Sequence, residues 1–135
     1  MSSFRFRKKT EYGMMMMSLL AKYGKDGVVS VRTMQQFGLP RSFLVKIARD
    51  LIKAKLVMAK EGRGGGYSLT SEAREVTLKQ VVEAIDGQLA TAECLMHGAK
   101  KCLLAKHCPQ RKMMSKLTEE IGSILSKYRL SEFGD

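Results

Sequence analysis

The chain of 135 residues has little of what marks several common protein classes. It has three cysteines and two histidines. An odd number of cysteines without a secretory signal argues against a disulfide framework and favours metal binding or redox chemistry. No apolar run is long enough to span a bilayer, and the start of the chain is polar and basic. These absences predict a cytoplasmic protein without a membrane partner.

Catalytic and nucleotide-binding motifs are also absent. No serine or cysteine nucleophile comes with a recognisable histidine and carboxylate, and neither histidine lies in a catalytic motif. The glycine-rich stretch Glu61–Gly66 lacks the Gly-Lys-Ser/Thr ending of a phosphate-binding loop, and no helix is predicted directly after it. We therefore expect neither an enzyme nor a nucleotide site.

Positive charge, by contrast, is in excess. The formal net charge is +11, from 24 Lys and Arg against 13 Asp and Glu. Residues 1–66 hold 14 of the cations and 4 of the acids, a net of +10, whereas residues 67–135 hold 10 and 9, a net of +1. A one-sided basic field suits a polyphosphate such as DNA, through Coulomb attraction and counterion release. A solvated basic surface is the alternative, and an anionic membrane is a weaker one because no basic helix has a broad apolar face.

A basic arm at residues 4–9 precedes the first predicted helix. Thr10 has the side chain of an N-cap, and Glu11 then falls in the first turn, where its charge suits the helix dipole. The helix ends near Gly24. Its run of four methionines, residues 14–17, is interpreted as pliable core.

Two further helices joined by a glycine-containing turn follow. Ser30 caps the first of them (Val31–Phe37), which stops at Gly38, and Pro40 opens the second in the first-turn position where proline is tolerated. One face of this second helix is apolar, with Leu44, Ile47, Ala48 and Leu51. Another face carries a polar and mostly cationic stripe without an acid, formed by Ser42, Lys46, Arg49 and Lys53. The pattern is typical of a helix-turn-helix, with a solvated helix face as the alternative.

Two short predicted strands flank the glycine-rich stretch. They are Leu56–Met58 and Tyr67–Leu69, and the glycines between them permit the positive φ angles of a tight hairpin. A hairpin directly after a recognition helix is a wing. Arg63 at its tip is placed to enter a minor groove.

The second half holds one more capped helix, a cysteine segment and a last helix. Thr77 caps the helix Leu78–Asp86, which Gly87 ends. After Pro109, apolar residues alternate by three and four, as in a coiled-coil seam, and they favour a homodimer over packing on the same domain. These residues are Met114, Leu117, Ile121, Ile124 and Tyr128.

The predicted fold is therefore mainly α with a small β-hairpin wing. Residues 1–75 form a winged helix-turn-helix DNA-binding region. Residues 76–135 form the cysteine loop and a long C-terminal dimerisation helix, and the first helix also contributes to the dimer.

Six short motifs stand out beside the three cysteines: Arg41–Leu44, Ala54–Val57, Gly62–Leu69, Val76–Leu78, Ala84–Gly87 and Tyr128–Phe133. Together they resemble the bacterial winged-helix iron–sulfur transcriptional regulators of the IscR, NsrR, RirA and CymR type, over nearly the whole chain. The resemblance implies a homodimer paired through its last helix that binds a double-stranded DNA operator. Each recognition helix then lies in a major groove and each wing in an adjacent minor groove.

The resemblance also implies which residues contact DNA. By position, Ser42, Phe43 and Lys46 lie at the major groove. Many relatives have an arginine where this chain has Glu61, so Arg63 takes over the minor-groove role, and the usual operator preference is in question. The whole predicted DNA-binding set is Arg41, Ser42, Phe43, Lys46, Arg49 and Arg63.

Cys94, Cys102 and Cys108 form the predicted metal site. Thiolates are the usual ligands of iron–sulfur irons and of zinc, and a flexible loop can fold three around one site. The resemblance implies an iron–sulfur cluster, and the spacing of seven and five residues is similar to the RirA type, which favours 4Fe–4S over 2Fe–2S. An incompletely thiolate-ligated centre suits a sensor of iron, redox state or nitric oxide.

The fourth ligand of this site has several candidates. In the IscR pattern a histidine follows the last cysteine by three residues, but this chain has Arg111 there, which cannot ligate. NsrR-like relatives use a carboxylate early in the first helix of the other subunit, and Glu11 stands at the matching place. Glu11 of the partner subunit is therefore the first candidate, followed by His107 and His97. A thiolate or water from solution is the remaining one.

The main alternative function is a cluster-free regulator of the CymR type, which responds to thiol oxidation or to a partner protein. Three cysteines in one short loop argue against it. An iron–sulfur carrier would not need the basic first half or the wing. Zinc in place of a cluster would give a colourless protein with metal bound.

Overall fold

The computed structural model describes residues 4–24, 27–71, 73–92, 94–95 and 107–132, and of Arg74 only the backbone. The helices are α1 (Lys8–Tyr23), α2 (Val31–Gln36), α3 (Arg41–Lys53), α4 (Leu78–Asp86) and α5 (Arg111–Leu125). The strands are β1 (Val57–Lys60) and β2 (Gly66–Leu69), and short 3₁₀ turns lie at Ala73–Glu75 and Leu130–Glu132. The prediction of a mainly α fold with a small hairpin is confirmed.

Two of the predicted helix caps are confirmed. The backbone N–H of Thr33 donates to Ser30 Oγ at 3.1 Å at the start of α2. At the start of α4, Thr77 and Gln80 form a reciprocal capping box. Pro40 is the N-cap of α3 rather than its first helical residue, so its prediction is wrong by one position.

The prediction that Thr10 caps α1 is wrong. The helix begins at Lys8, after Arg7, and no side chain caps it. Thr10 is completely buried, and its hydroxyl donates to the carboxylate of Asp86 in α4. The threonine hydroxyl therefore links α1 to α4 instead of capping α1. A buried hydroxyl needs a hydrogen-bond partner, because leaving it unpaired costs free energy.

Helices α1, α3 and α4 pack against one another around Gly13. A Cβ at Gly13 would overlap the side chain of Ile85 in α4 and would lie 3.6 Å from Ile47 Cγ2 in α3. The three helices approach this closely because residue 13 has no side chain. The largest fully buried side chains of the core include Met16, Met17, Leu20, Met34, Leu39, Leu44, Ile47, Leu51, Val81 and Leu130.

The methionine run is only partly core. Met16 and Met17 are completely buried, whereas Met15 is 40% exposed. Four successive positions cover all sides of a helix at 100° per residue, so they cannot all face inward.

The hairpin is hydrogen-bonded to the segment directly before α2. The two strands are antiparallel, with Val57 opposite Leu69 and Lys60 opposite Gly66. The backbone groups of Val29 and Tyr67 exchange two hydrogen bonds, of 2.8 and 2.9 Å. A Cβ at Gly66 would overlap the carbonyl oxygen of Val29, so this close approach depends on glycine.

Replacing Gly66 with alanine is expected to lower the free energy of unfolding by about 2 kcal/mol or more, because backbone cannot yield as a flexible side chain can. Urea denaturation measures the loss. Gly62→Ala is the control: Gly62 also has a positive φ, of 86°, but its Cβ would meet nothing within 4 Å. This control should lose only about 1 kcal/mol. Equal losses for the two variants would contradict the close approach at Val29.

The chain after α5 returns to the start of α4. The backbone N–H of Leu78 donates to the carbonyl of Tyr128 at 2.7 Å, and that of Leu130 donates to the carbonyl of Val76 at 2.8 Å. Leu130 is buried. Helix α5 ends at Leu125, so Tyr128, the last residue of the predicted seam, lies beyond the helix.

Candidate DNA interface and cysteine site

The residues of α3 that face solvent lie opposite the residues that it buries. Its four predicted apolar residues are all buried, and the helix contacts α1 and α4. At 100° per residue, the predicted stripe lies on the opposite side of the helix. All members of this cationic stripe are exposed: Ser42, Lys46, Arg49 and Lys53. Arg41, in the first turn, is exposed as well.

The one acid of α3 is paired with a cation. Asp50 Oδ2 lies 2.6 Å from Nζ of Lys9 in α1, and both side chains are about one-third exposed. A pair of this exposure contributes little to stability, but it offsets the negative charge beside the stripe. The outward face of α3 therefore keeps its positive potential.

Phe43 lies on the flank of α3 and contacts α1. Its ring centroid is 5.2 Å from that of Tyr12, and its side chain is half-buried. Lys8 Nζ lies 5.5 Å from the centroid of the Tyr12 ring, within the range of a cation–π contact. The predicted major-groove residue thus also holds the first turns of α1 against α3.

The wing presents Arg63 to solvent. Gly62 and Gly64 on either side of Arg63 have φ angles of 86° and 75°, as the tight turn between the two strands requires. Arg63 is exposed and forms no ion pair with any carboxylate in the described part of the chain. Its predicted place at the tip of the hairpin is confirmed, whereas its contact with DNA is a prediction.

Two of the three cysteines belong to the described residues. Cys94 and Cys108 are free, half-buried thiols. Cys102 and the candidate ligand His97 lie outside the described residues. The predicted three-cysteine site is therefore described at its two ends only.

The two described cysteines adjoin the N-terminal half of α5. Cys108 precedes the first residue of that helix by three positions. Thr91, three residues before Cys94, is fastened to the same half of α5: its backbone N–H donates to Thr118 Oγ1 at 3.1 Å, and its hydroxyl donates to the carbonyl of Met114 at 2.8 Å. Thr91 and Cys108, on either side of the third cysteine in the chain, are thus both placed by the N-terminal half of α5.

An open groove of about 600 Å³ lies beside Cys108. Three cations and one acid line it, so a carboxylate entering from outside would be attracted. The lining residues are His107, Cys108, Arg111, Lys112, Ser115, Lys116 and Glu119.

Glu11 is exposed in the first half of α1, and its carboxylate lies 3.6 Å from Lys8 Nζ. Within the described part of one chain, no three His, Cys, Asp or Glu residues gather as a metal site, so Glu11, Cys94 and Cys108 do not meet there. A Glu11 ligand would have to come from a second subunit.

The donor chemistry fits an iron–sulfur centre. Cys94 and Cys108 are free and half-buried thiols, and Cys94 follows by three residues the threonine that is hydrogen-bonded to α5. Thiolates are the ligands that hold such clusters, and partial burial limits access of water to the metal. With Cys102 they would supply three thiolates to such a centre, and Glu11 of the partner subunit or His107 would supply an oxygen or nitrogen donor.

Comparison with known proteins decides the family. Residues 6–135 match Rrf2, described as an iron-dependent transcriptional regulator. The chain belongs to the Rrf2 family. This family and its relative IscR are described as transcriptional regulators, which confirms the expected family resemblance and the expectation that the chain is not an enzyme.

Relatives of this Rrf2 protein match it along most of their length. Protein aau3 of Rhizobium meliloti (strain 1021) is 30% identical over 128 residues, which cover 95% of this chain and 83% of that protein. The HTH-type transcriptional regulator IscR of Photobacterium profundum is 28% identical over 129 residues, covering 95% and 74%. The structure of CymR, the global cysteine regulator of B. subtilis, superposes with a TM-score of 0.74 at 23% identity and covers 97% of this chain and 96% of CymR. That likeness confirms the winged-helix fold of the Rrf2 protein.

Membership of the Rrf2 family makes this chain a transcriptional regulator and implies that it binds DNA. Among the described helices, none combines the length and the apolar character that a bilayer crossing requires.

The sequence did not reveal the contacts between α1 and α3 in this Rrf2 protein. Lys9 and Tyr12 are the residues that sequence reasoning missed, since neither belongs to a recognisable motif. One signal was present: Asp50 is a single acid in a helix of cations, and such a residue invites a search for its cation.

Proposed function

We propose that this Rrf2-family regulator binds an operator as a homodimer and senses iron, redox state or nitric oxide through an iron–sulfur cluster. Residues 1–75 act as the DNA-binding region, and residues 76–135 supply the cysteine loop and the dimerisation helix. The observation that carries the DNA-binding part is the exposed cationic stripe of α3, whose neighbouring acid is paired with Lys9. The proposed contacts to DNA are made by Arg41, Ser42, Phe43, Lys46, Arg49 and Arg63.

Replacing Lys46 or Arg49 with alanine should weaken binding to a selected duplex by about 1–3 kcal/mol, because each cation on the stripe is placed to reach a base edge or a phosphate. The selected duplex, about 30 base pairs long, is recovered from a random-sequence library with the wild-type protein, and a shuffled duplex of equal composition is the comparison. Fluorescence anisotropy measures both affinities. A variant that loses a base contact should also prefer the selected duplex less.

Lys127→Ala is the control, because Lys127 is an exposed cation after α5 and outside the proposed interface. It should leave the preference for the selected duplex unchanged. Wild-type affinity in both the Lys46 and the Arg49 variants would contradict insertion of α3 into the groove.

The apolar face of α5 supports the homodimer. Met113 is 60% exposed, Leu117 41% and Ile124 52%, and all three lie within about 40° of one line along the helix. Ile121, about 60° from this line, is half-buried. Such a stripe on one long helix is what a second copy of that helix would cover.

The cluster proposal rests on the family description as iron-dependent and on the three thiols. Cys94, Cys102 and Cys108 would each supply a thiolate, with 4Fe–4S favoured over 2Fe–2S, and Glu11 of the partner subunit would complete the set. The cationic groove beside Cys108 supports a carboxylate donor there. When bound, such a cluster supplies an iron that is open to oxygen, nitric oxide or loss under iron starvation.

The contacts of α1 offer a route from this site to DNA. Glu11 lies between Lys9, which pairs with Asp50, and Tyr12, whose ring packs on Phe43. A shift of the first turns of α1, when Glu11 gains or loses a metal, would therefore reach the recognition helix through two direct contacts. Two contacts on one flank favour a rotation or displacement of α3 as a unit, since packed helices move as rigid bodies.

A further inference from the structure

Only residues 4–7 of the predicted basic arm precede α1, and this shorter arm has no role in the function proposed above. Residues 4–7 precede the helix, and Arg7 has extended backbone angles, φ −62° and ψ 154°. Arg5 and Arg7 are exposed. Neither forms an ion pair with any carboxylate in the described part of the chain, unlike Lys8 and Lys9. These two guanidinium groups are thus available to a ligand.

The arm starts beside the recognition helix. Lys9, two residues after Arg7, is held 2.6 Å from Asp50 of α3, so the start of α1 has a defined place. Arg5 is four residues from this anchor, within about 14 Å of extended chain. The arm therefore remains close to α3.

The anchor also lies next to the cationic stripe. On α3, Asp50 and Phe43 are about a quarter turn from the centre of the stripe, at 100° per residue. Both residues that hold α1 thus lie on the same flank of α3, between the stripe and the buried face. The arm therefore begins at the edge of the surface that carries Lys46 and Arg49.

We propose that Arg5 and Arg7 extend the DNA interface by binding backbone phosphates beside the major groove that receives α3. This inference rests on the proposed DNA-binding function. Guanidinium groups bind phosphate through paired N–H donors, and contacts to phosphate carry no base information. The arm would therefore add affinity for any duplex, whereas α3 adds preference for one sequence.

The test is the salt dependence of binding by the double variant Arg5→Ala/Arg7→Ala. Each lost phosphate contact lowers the slope of log affinity against log salt by about 0.9, so the slope should fall by about 2 for each bound chain. At 0.15 M salt the affinity of each chain should fall by roughly 30-fold. The losses should be equal on the selected and the shuffled duplex, and the preference between them should stay as in the wild type.

The matched control is Lys127→Ala/Arg129→Ala, which removes two exposed cations in the C-terminal part of the chain and lowers the net charge equally. It should keep nearly the wild-type slope. An arm variant with the slope of this control would overturn the inference, and so would a loss confined to the selected duplex. Wild-type protein that binds neither duplex would contradict the proposed DNA-binding function itself. Wild-type protein that prefers the selected duplex, together with an arm variant that binds as the wild type does, would exclude only the role of the arm.

Discussion

Cys108→Ser protein, purified and reconstituted without oxygen, should be colourless and nearly free of iron, whereas the wild type should be brown. The variant removes one of three thiolates, and a serine hydroxyl is a poor ligand for these irons. Loss of an outer partner of a metal ligand costs roughly 10–100-fold in affinity, and loss of a thiolate ligand itself should cost more. Iron and sulfide content and the visible absorption spectrum measure the effect.

The same variant tests whether the cluster changes the affinity for DNA. Wild-type affinity for the selected duplex should differ between the reconstituted and the cluster-free protein, whereas Cys108→Ser protein should show one affinity under both treatments. The direction of the wild-type change reveals whether the loaded or the empty form binds DNA more tightly. Fluorescence anisotropy under anaerobic conditions provides the measurement.

Ser115→Ala is the control for this experiment. Ser115 lines the same groove as Cys108 but supplies no thiolate. The control should be as brown as the wild type. A colourless wild-type protein that regulates DNA binding through thiol oxidation would contradict the cluster and support the cluster-free alternative. Bound zinc without colour would contradict it equally.

Leu117→Glu should convert the proposed homodimer to a monomer and weaken binding to the selected duplex by about 100-fold or more. Leu117 is exposed on the single chain, in the middle of the apolar face of α5. A charge there would be buried without a partner in the dimer. Two linked DNA-binding modules gain about 10²–10⁴ in avidity over one, and a monomer forfeits that gain. Sedimentation velocity gives the mass and anisotropy gives the affinity.

Ser123→Glu adds the same charge to the same helix about 120° away from Leu117, on an exposed position. It should remain a dimer with wild-type affinity. If Leu117→Glu protein sediments as a dimer, the face of α5 is not the subunit interface, and Glu11 of the partner subunit loses its route to the cysteine site.

Local chemistry explains which elements were predictable. Ser30 and Thr77 cap helices as their side chains predict, because a cap depends on atoms within three residues. The buried stripe of α3 followed from its periodicity of three and four. The prediction that Thr10 caps α1 failed because its hydroxyl donates a hydrogen bond to Asp86, 76 residues away. No local sequence pattern indicates such a distant partner.

The candidate sites divide in the same way. The residues of the stripe, the arginine between the wing glycines and the three thiols are visible in the sequence because residue type and spacing identify them. Their surroundings are not visible. The neutralisation of Asp50 and the packing of Tyr12 on Phe43 arise where α1 crosses α3, and a crossing is determined by how whole helix surfaces pack.

The amino-acid sequence alone determined the order of helices and strands, the excess of cations in the first half and the donor atoms available to a metal, since each depends on residues near one another in the chain. Only the tertiary structure decided that Gly13 permits α1 to meet α4, that Lys9 pairs with the single acid of α3 and that the basic arm starts beside the stripe. These are contacts between residues tens of positions apart. They form only when the helices pack against one another, and the periodicity of the sequence does not indicate which residues then meet.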